Sequence, residues 1–353
     1  MIQTLYIERA ITSDPRVQEI IGRFPGASQI QCERYGSVFN PRNQSFRLQK
    51  GTPSRILAHK FDNHVLPTPE GYGVGGQYNY YFSHMLNCVY DCRYCFLQGM
   101  YRSAHYVVFV NYNDFFAAMD EKLALHEGQS VWFFSGYDCD SLAFEPVTGF
   151  AHHLLSYLET RPQAVVELRT KSTQIRTLLQ RDALPNALVA FSLTPGPAAA
   201  SLEHRTPSVA KRIRAMAQLA AGGWRLGLRF DPLLDDTDFE IHYERLFREV
   251  FQEIDAATVH SVTIGAFRMP RSFFRNVVRL YPDEPLLAGT FDHRANSVSY
   301  SADRQREMFS FCLEQLRRYV QPDIIYTCAE EQRAVHIAPV DSAQKRSTGG
   351  PVS

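Results

Sequence analysis

Residues 80–98 read YYFSHMLNCVYDCRYCFLQ, and no other stretch of the chain says as much about its fold. It places Cys88, Cys92 and Cys95 within eight residues, in the pattern C-x3-C-x2-C. The other four of the seven cysteines are scattered, at positions 32, 139, 312 and 328. The odd number of cysteines disfavours a disulfide framework, as does an N-terminus in which we expect no signal peptide. The clustered thiols therefore need a chemical explanation.

Three thiolates on one tight loop predict a metal centre. Structural zinc sites usually have four ligands in paired C-x2-C knuckles, and the sequence contains no second knuckle. Three ligands without a fourth indicate a centre with one open position, as in an iron–sulfur cluster held by three cysteines. A structural zinc site, or simple packing of the thiols, is the alternative interpretation.

Around this stretch, from residue 77 onward, short apolar segments alternate with amphipathic ones. Six β–α units predict a parallel sheet with right-handed crossovers. A doubly wound sheet and an open barrel both fit, and periodicity does not choose between them. A last helix near 303–320 and a short strand near 323–328 are expected to follow. The six strands are expected near 78–85, 131–135, 165–169, 187–193, 224–229 and 261–265.

The cysteine pattern, with an aromatic residue before its last cysteine, resembles the signature of the radical S-adenosylmethionine (SAM) superfamily. The resemblance implies that Cys88, Cys92 and Cys95 hold a [4Fe–4S] cluster whose fourth iron binds SAM. It implies that reduction cleaves SAM to a 5′-deoxyadenosyl radical, with Tyr94 beside the adenine. It also implies an α/β fold, a partial (β/α)6 TIM-type barrel, which decides between the two architectures. Such barrels place active sites at the carboxyl ends of their strands.

Further blocks resemble the spore photoproduct lyase family, whose members use the adenosyl radical to repair a methylene-bridged thymine dimer in DNA. The resemblance implies that Lys171 contacts the SAM carboxylate and that Ser192 contacts other polar groups of SAM. Both residues end expected strands, where a buried cation can pair with a carboxylate. The blocks are Leu5–Glu8, Cys95–Gln98, Val108–Asn111, Arg169–Lys171, Ala190–Ser192, Glu203 with Thr206, Leu226–Gly227 followed by Pro232, and Ile325–Tyr326.

Two positions depart from that family's pattern. The tyrosine that follows the third cluster cysteine in the family is Phe96 here, which has no phenolic hydrogen. Anchoring the next segment on Asp140, which the resemblance places at the cofactor, puts Tyr137 where the family has its hydrogen-donating cysteine. Cys139 then falls where the family has a serine near SAM. We expect Cys139 or Tyr137 to return the hydrogen atom, and Tyr94 to contribute to catalysis.

The charge balance bears on nucleic-acid binding. The 353 residues include 37 Lys and Arg and 37 Asp and Glu. Zero net charge argues against a strongly basic coat, although it leaves room for a local basic groove. Arg268, Arg271, Arg275 and Arg279 recur at three- and four-residue spacing, and we expect Arg268 and Arg271 to grip the DNA backbone. A solvated helix face is the alternative interpretation of the same spacing.

The expected organisation is an N-terminal extension over 1–76 that packs on the barrel, the barrel over 77–330, and a disordered tail over 331–353. No apolar run is long enough to span a membrane, and the expected location is the cytoplasm.

The sequence thus predicts a lyase that repairs damaged thymines in DNA and takes electrons from a donor such as flavodoxin or ferredoxin. The alternative is a radical SAM enzyme that acts on another nucleic acid or on a peptide. The oligomeric state is left open.

Overall fold

The computed structural model describes residues 4–327, and within them the strands form two large sheets and two small ones. The strands are β1 (Thr4–Glu8), β2 (Ser28–Cys32), β3 (Arg55–Ala58), β4 (Leu66–Pro67), β5 (Tyr78–Phe82), β6 (Met85–Leu86), β7 (Asp91–Cys92), β8 (Tyr106–Phe109), β9 (Val131–Ser135), β10 (Ala164–Thr170), β11 (Ala187–Ser192), β12 (Glu203–His204), β13 (Arg225–Leu233), β14 (Val259–Ala266), β15 (Arg268–Pro270), β16 (Asp292–His293), β17 (Ser297–Ser299) and β18 (Ile325–Thr327).

Helices cover both large sheets. The α-helices are α1 (Pro15–Gly22), α2 (Phe46–Gly51), α3 (Leu97–Met100), α4 (Tyr112–Leu125), α5 (Glu145–Thr148), α6 (Phe150–Leu158), α7 (Arg176–Leu179), α8 (Gly196–Leu202), α9 (Val209–Ala221), α10 (Phe239–Glu253), α11 (Arg271–Leu280) and α12 (Ala302–Leu316). Short 3-10 turns lie at Arg9–Ile11, Tyr35–Ser37, Ala256–Thr258, Pro285–Ala288 and Pro322–Ile324. No helix among the described residues is long and apolar enough to cross a membrane. Cys328 and the expected tail lie outside the described residues.

The larger sheet is the predicted half-barrel. Its order is β4-β5-β9-β10-β11-β13-β14-β18, and all neighbours are parallel except the edge pair β4 and β5. The six strands expected from the sequence are β5, β9, β10, β11, β13 and β14, in that spatial order, so this prediction is confirmed. These strands are apolar because both of their faces are covered, as for β11, in which every residue is buried. The sheet brings six carboxyl-terminal strand ends to one rim.

A buried ion pair fills part of the barrel interior. Arg229 on β13 donates to the carboxylate of Glu167 on β10, at 2.8 Å, and both side chains are almost completely buried. Arg229 also donates to the backbone and the hydroxyl of Ser261 on β14, at 3.0 and 2.9 Å. Removing either charge would leave the other buried without a counter-charge, which is strongly destabilising. The pair therefore fixes three strands relative to one another.

A glycine-rich loop crosses the open side of the half-barrel. A Cβ atom on Gly76 would lie 2.2 Å from the ring of Trp132 on β9. Gly75 has a φ of 92°, and a Cβ there would lie 2.8 Å from the hydroxyl of Tyr326 on β18. Glycine is needed at both positions, because the loop passes against side chains of β9 and of the edge strand β18.

The second large sheet was not anticipated from the sequence. Its order is β2-β1-β3-β8-β6, parallel from β2 to β8, with β6 antiparallel to β8. Strands β6 and β8 come from either side of the cysteine loop, whereas β1, β2 and β3 precede residue 76. The loop that carries the three cysteines therefore starts and ends in this sheet, directly after β5 of the barrel.

Candidate active site

The cysteine loop is closed at its base by one side chain. The amide of Asn87 donates to the backbone oxygens of Ser103 and His105, at 2.7 and 2.8 Å. Asn87 has a φ of 68°, in the left-handed region that asparagine tolerates better than most residues. A side chain that holds the two ends of residues 88–104 together fixes where the cysteines can point.

A second contact fixes the middle of the loop against the barrel. The two-residue strands β7 and β12 pair in antiparallel fashion, with Cys92 opposite Glu203. The backbone N–H of Arg93 donates to the backbone oxygen of Leu202, at 2.8 Å. The cysteine loop is therefore bound to the segment that follows β11, on the carboxyl-terminal rim.

The three cysteines line one cavity of about 590 Å³ at that rim. All three are free thiols. Burial raises the pKa of each of them, to about 12 for Cys88. The positive charge of Lys171 opposes this effect at Cys92 and Cys95. Buried thiols that face one space need a strong cation there to become thiolates.

This donor set fits an iron–sulfur cluster. The described residues contain no group of three His, Cys, Asp or Glu side chains arranged around a single metal ion. A cluster makes a different demand, because each thiolate binds its own iron atom. Three cysteines on one loop, facing a cavity with room beyond them, match a cluster that keeps one iron open.

A buried carboxylate organises the wall beside the cysteines. Glu203 accepts hydrogen bonds from the hydroxyls of Tyr94 and Thr194 and from the guanidinium of Arg212, and it is 3.9 Å from the ammonium of Lys171. The Lys171 ammonium also stands 5.6 Å from the centre of the Tyr94 ring. Burial acts to raise the pKa of Glu203, but Lys171 and Arg212 outweigh it and hold this pKa below its ordinary value. Two predicted site residues, Tyr94 and Lys171, are thus positioned by a glutamate to which the sequence analysis gave no role.

Asp140 lines the cavity, and both of its carboxylate oxygens accept hydrogen bonds from the protein. One oxygen accepts from the backbone of Leu142 and Ala143 and from the hydroxyl of Thr170, at 3.0, 2.8 and 2.7 Å. The other accepts from the backbone N–H of Lys171 at 2.6 Å. These contacts join the loop after β9 to the end of β10, so Asp140 holds the backbone of Lys171 in place.

Arg169, next to the predicted Lys171, is a further residue that sequence reasoning left without a role. Its guanidinium donates to the hydroxyls of Ser192 and Tyr72, at 3.4 and 3.3 Å, and forms an ion pair with Asp231 at 3.6 Å. The arginine therefore ties the predicted Ser192 to β13 and to the glycine-rich loop. Its only sequence signal was its place in the block Arg169–Lys171.

The two predicted hydrogen donors occupy different parts of the cavity wall. The ring of Tyr137 lies 4.5 Å from the ring of Tyr81 and 5.8 Å from that of Phe96. Cys139 is buried among apolar side chains that include Met85. Burial and the nearby Cys88 raise the pKa of its thiol. Tyr137 thus stands with the aromatic residues, and Cys139 stands close to the predicted cluster ligands.

The structure separates the two arginines predicted to bind DNA. Arg268 lines the cavity and forms an ion pair at 3.1 Å with Asp231, the carboxylate that Arg169 also contacts, so it belongs to the cavity wall. Arg271 is exposed at the first position of α11. Arg275 and Arg279 follow it at four-residue spacing and are also exposed. These three side chains lie on one face of α11, as the spacing predicts.

The half-barrel, with three cysteines on the loop that follows its first strand, defines a protein of the radical SAM class. The family model for spore photoproduct lyase matches residues 77–295. The chain therefore belongs to the spore photoproduct lyase family.

Individual relatives are distant in sequence. The spore photoproduct lyase of Geobacillus sp. (strain Y412MC61) is 22% identical over 202 residues, which is 56% of this chain and 59% of that protein. A solved spore photoproduct lyase double mutant with bound AdoMet and dinucleoside spore photoproduct superposes with a TM-score of 0.78 at 17% identity, over 93% of this chain and 98% of the other. A spore photoproduct lyase complexed with dinucleoside spore photoproduct gives 0.75 at 18% identity, with the same coverage. These structures confirm the predicted fold.

The first prediction concerns Glu203. Replacing it by Gln leaves Arg212 and Lys171 without their counter-charge, and we expect a loss of about 3–5 kcal/mol in unfolding free energy. Because the folded-state pKa of Glu203 lies below its ordinary value of 4.5, its contribution is complete above that pH and fades as the pH falls through the folded-state value. Urea denaturation at several pH values should therefore show a constant difference from the parent between pH 7 and pH 5, shrinking at lower pH.

The matched control is Glu33→Gln, because the Glu33 side chain is 71% exposed in its pair with Arg9. We expect a change within about 0.5 kcal/mol for this variant. A Glu203→Gln protein as stable as the control would show that the buried network does not hold this wall.

Proposed function

We propose that this protein is a radical SAM lyase that repairs spore photoproduct, the methylene-bridged thymine dimer of DNA. The observation that carries the proposal is that the three cysteines, Lys171 and Ser192 line the same cavity. Membership of the spore photoproduct lyase family supports the choice of reaction. The proposed cofactors are a [4Fe–4S] cluster and SAM, and the proposed compartment is the cytoplasm, where thiols stay reduced.

The cysteines are proposed to hold the cluster through their thiolates, with Cys88, Cys92 and Cys95 each binding one iron. When bound and reduced, the cluster supplies the electron that cleaves SAM into methionine and a 5′-deoxyadenosyl radical. The protein's contribution is to position the partners and to exclude water, because the cofactor carries the difficult chemistry.

Lys171 is proposed to bind the carboxylate of SAM. Its side chain is largely buried, its ammonium lies over the Tyr94 ring, and its ion pair with Glu203 is long, at 3.9 Å. A buried ammonium with a weak partner favours a second carboxylate, and charge-assisted contacts of this kind are strong. Ser192 offers a hydroxyl on the adjacent strand, and Tyr94 offers an aromatic edge for the adenine.

The outer part of the cavity is proposed to take the damaged thymine pair. Its walls are mainly apolar and include Phe96, Met100, Met269 and Phe273, with the amide of Asn296 among its polar groups. Flat, weakly polar rings such as thymines fit walls of this kind. A lesion in a duplex has to leave the base stack to reach such a pocket.

Tyr137 is proposed to return the hydrogen atom to the product radical, with Cys139 as the second candidate. The Tyr137 ring packs on Phe96 and interacts electrostatically with Arg268, which lines the same cavity. Cys139 lies instead beside Cys88, on the side of the cluster. The contact with Phe96 supports Tyr137, because Phe96 lines the part of the cavity proposed for the thymine pair.

The exposed face of α11 is proposed to contact the DNA backbone through Arg271, Arg275 and Arg279. The helix packs on α3, which directly follows the cysteine loop, and Asn276 donates to the backbone oxygen of Gly99 at 2.9 Å. A Cβ on Gly99 would lie 2.3 Å from the backbone oxygen of Phe273, so the two helices are in close contact. A strand held by this face would lie next to the proposed pocket.

Repair of a defined lesion tests the proposed function. We expect anaerobic protein with a reconstituted cluster, SAM and dithionite to break the methylene bridge and restore two adjacent thymines within an oligonucleotide that carries spore photoproduct. Because the lesion and the two thymines have the same mass, the digested product is separated by chromatography before mass spectrometry. Cys92→Ala should abolish cluster binding and repair, whereas Cys32→Ala, a cysteine on β2, should leave both intact. Deoxyadenosine without restored thymine would contradict this substrate and favour a radical SAM enzyme with another target.

Replacing Tyr137 tests the assignment of the hydrogen donor. In Tyr137→Phe we expect thymine recovery to fall at least about tenfold, while deoxyadenosine formation stays within about twofold of the parent. Tyr81→Phe, at the neighbouring ring, is the matched control and should retain recovery. If Cys139→Ala loses recovery while Tyr137→Phe retains it, the hydrogen comes from the thiol.

The arginine face of α11 is tested by the salt dependence of DNA binding. Each phosphate contact contributes about 0.9 to the slope of log affinity against log salt, so Arg271→Ala and Arg275→Ala should each lower the slope by about one. Arg245→Ala on α10 removes another exposed arginine and should leave the slope unchanged. Equal slopes in all variants would place the DNA elsewhere.

A further inference from the structure

The short helix α2 connects the surface to the cysteine loop through one lysine. The ammonium of Lys50 is buried and donates to the backbone oxygen of Tyr90, at 3.2 Å, between the first two cysteines. It is also 3.9 Å from the carboxylate of Asp91. The Lys50 charge lies close enough to Cys88 and Cys95 to interact with both thiols. A single side chain therefore separates α2 from the proposed cluster.

The outer side of α2 combines an exposed apolar residue with positive charge. Leu48 is 79% exposed, the most exposed of the large apolar residues described, and Arg47 beside it is also exposed. The exposed Arg205 donates to the backbone oxygen of Lys50 at 3.0 Å. Arg93, which is 19% exposed and pairs with Asp91 at 3.2 Å, lies over the ring of Tyr281. The charge of Arg47 also acts on Tyr281. We call Arg47, Leu48, Arg93 and Arg205 the α2 patch.

The α2 patch is separate from the proposed catalytic cavity. None of its four residues lines that cavity. An apolar centre with arginines around it is typical of protein interfaces, in which the core is apolar and Arg is enriched. An exposed leucine is less expected on a protein surface that binds nucleic acid, because most contacts of such a surface are polar and go to phosphates.

We propose that the α2 patch is the docking site of a small acidic electron-transfer protein that reduces the cluster. This inference rests on the proposed function, because it requires a cluster on the three cysteines. The donor, a reduced flavoprotein or ferredoxin, loses one electron, and the cluster gains that electron. Positive charge at the patch attracts an acidic donor and sets its orientation, and Leu48 provides the apolar contact. The short path through Lys50 and the backbone of Tyr90 places the donor near the cluster.

The test uses reduced flavodoxin as the probe and a double variant of the patch. Arg47→Glu/Leu48→Ser changes two exposed side chains and reverses one charge. The matched control is Ile241→Ser/Arg248→Glu on α10, which also combines an exposed aliphatic residue with an exposed arginine. Arg47→Lys is the conservative variant that retains the charge. Thermal melting of all four proteins establishes that each is folded.

Two readouts decide the proposal. Calorimetric titration of cluster-free protein with flavodoxin at low salt should show that the patch variant binds at least about tenfold more weakly than the parent. The control and Arg47→Lys should bind within about twofold of the parent. Stopped-flow reduction of the reconstituted cluster by flavodoxin hydroquinone should slow to a similar extent, whereas reduction by dithionite, a small ion, should stay unchanged. Salt near physiological strength should narrow the difference, because it screens the attraction.

Equal flavodoxin affinity in the parent and the patch variant would overturn the proposal. Loss of affinity for lesion-bearing DNA, with flavodoxin binding unchanged, would also overturn it and assign the patch to nucleic acid. Failure of the proposed function is separately visible, because dithionite with SAM would then give no deoxyadenosine in the parent. The flavodoxin titration of cluster-free protein would still decide what the patch binds.

Discussion

The burial of one carboxylate determines much of the site. Glu203 has no access to water, so its charge has to be matched by donors and cations inside the protein. The matching groups come from four places in the chain: Tyr94 in the cysteine loop, Lys171 after β10, Thr194 after β11, and Arg212 in α9. A group that requires partners from separate elements fixes those elements relative to one another. The cysteines, which share the loop with Tyr94, are positioned as a consequence.

The barrel was predictable from sequence for a reason that did not extend to the second sheet. Strands such as β11 are buried on both faces, so they read as short apolar runs between amphipathic helices. The edge strand β2 has the sequence SQIQC and is mostly exposed, so it carries no such pattern. The sheet also pairs β3 with β8, which lies on the other side of the cysteine loop. Pairing across so long an insertion is a tertiary property that local periodicity cannot show.

The same distinction applies to the site. Three cysteines within eight residues predict a metal centre, because all the ligands belong to one loop. The network of Glu203 and the contacts of Arg169 join residues 9 to 109 positions apart, and nothing in the local sequence marks them. Asp140 and Arg268 were recognised as polar residues near the cofactor and the DNA. Only the fold shows that backbone N–H groups donate to the carboxylate of Asp140 and that Asp231 pairs with Arg268.

The departures at Phe96 and Tyr137 fall where the structure can accept them. The part of the cavity near the cysteines is fixed by buried charges, and a change at Glu203, Arg169 or Lys171 would leave an unmatched ion. Phe96 and Tyr137 pack on each other through their rings, and neither is an ionic side chain that needs a counter-charge. Where the resemblance places a cysteine and a tyrosine, this chain has Tyr137 and Phe96, and a difference in the proposed hydrogen donor at these positions leaves the charge network intact. The wall beside the cysteines is therefore constrained by electrostatics, whereas the wall with Phe96 and Tyr137, the proposed hydrogen-returning side, is constrained mainly by shape.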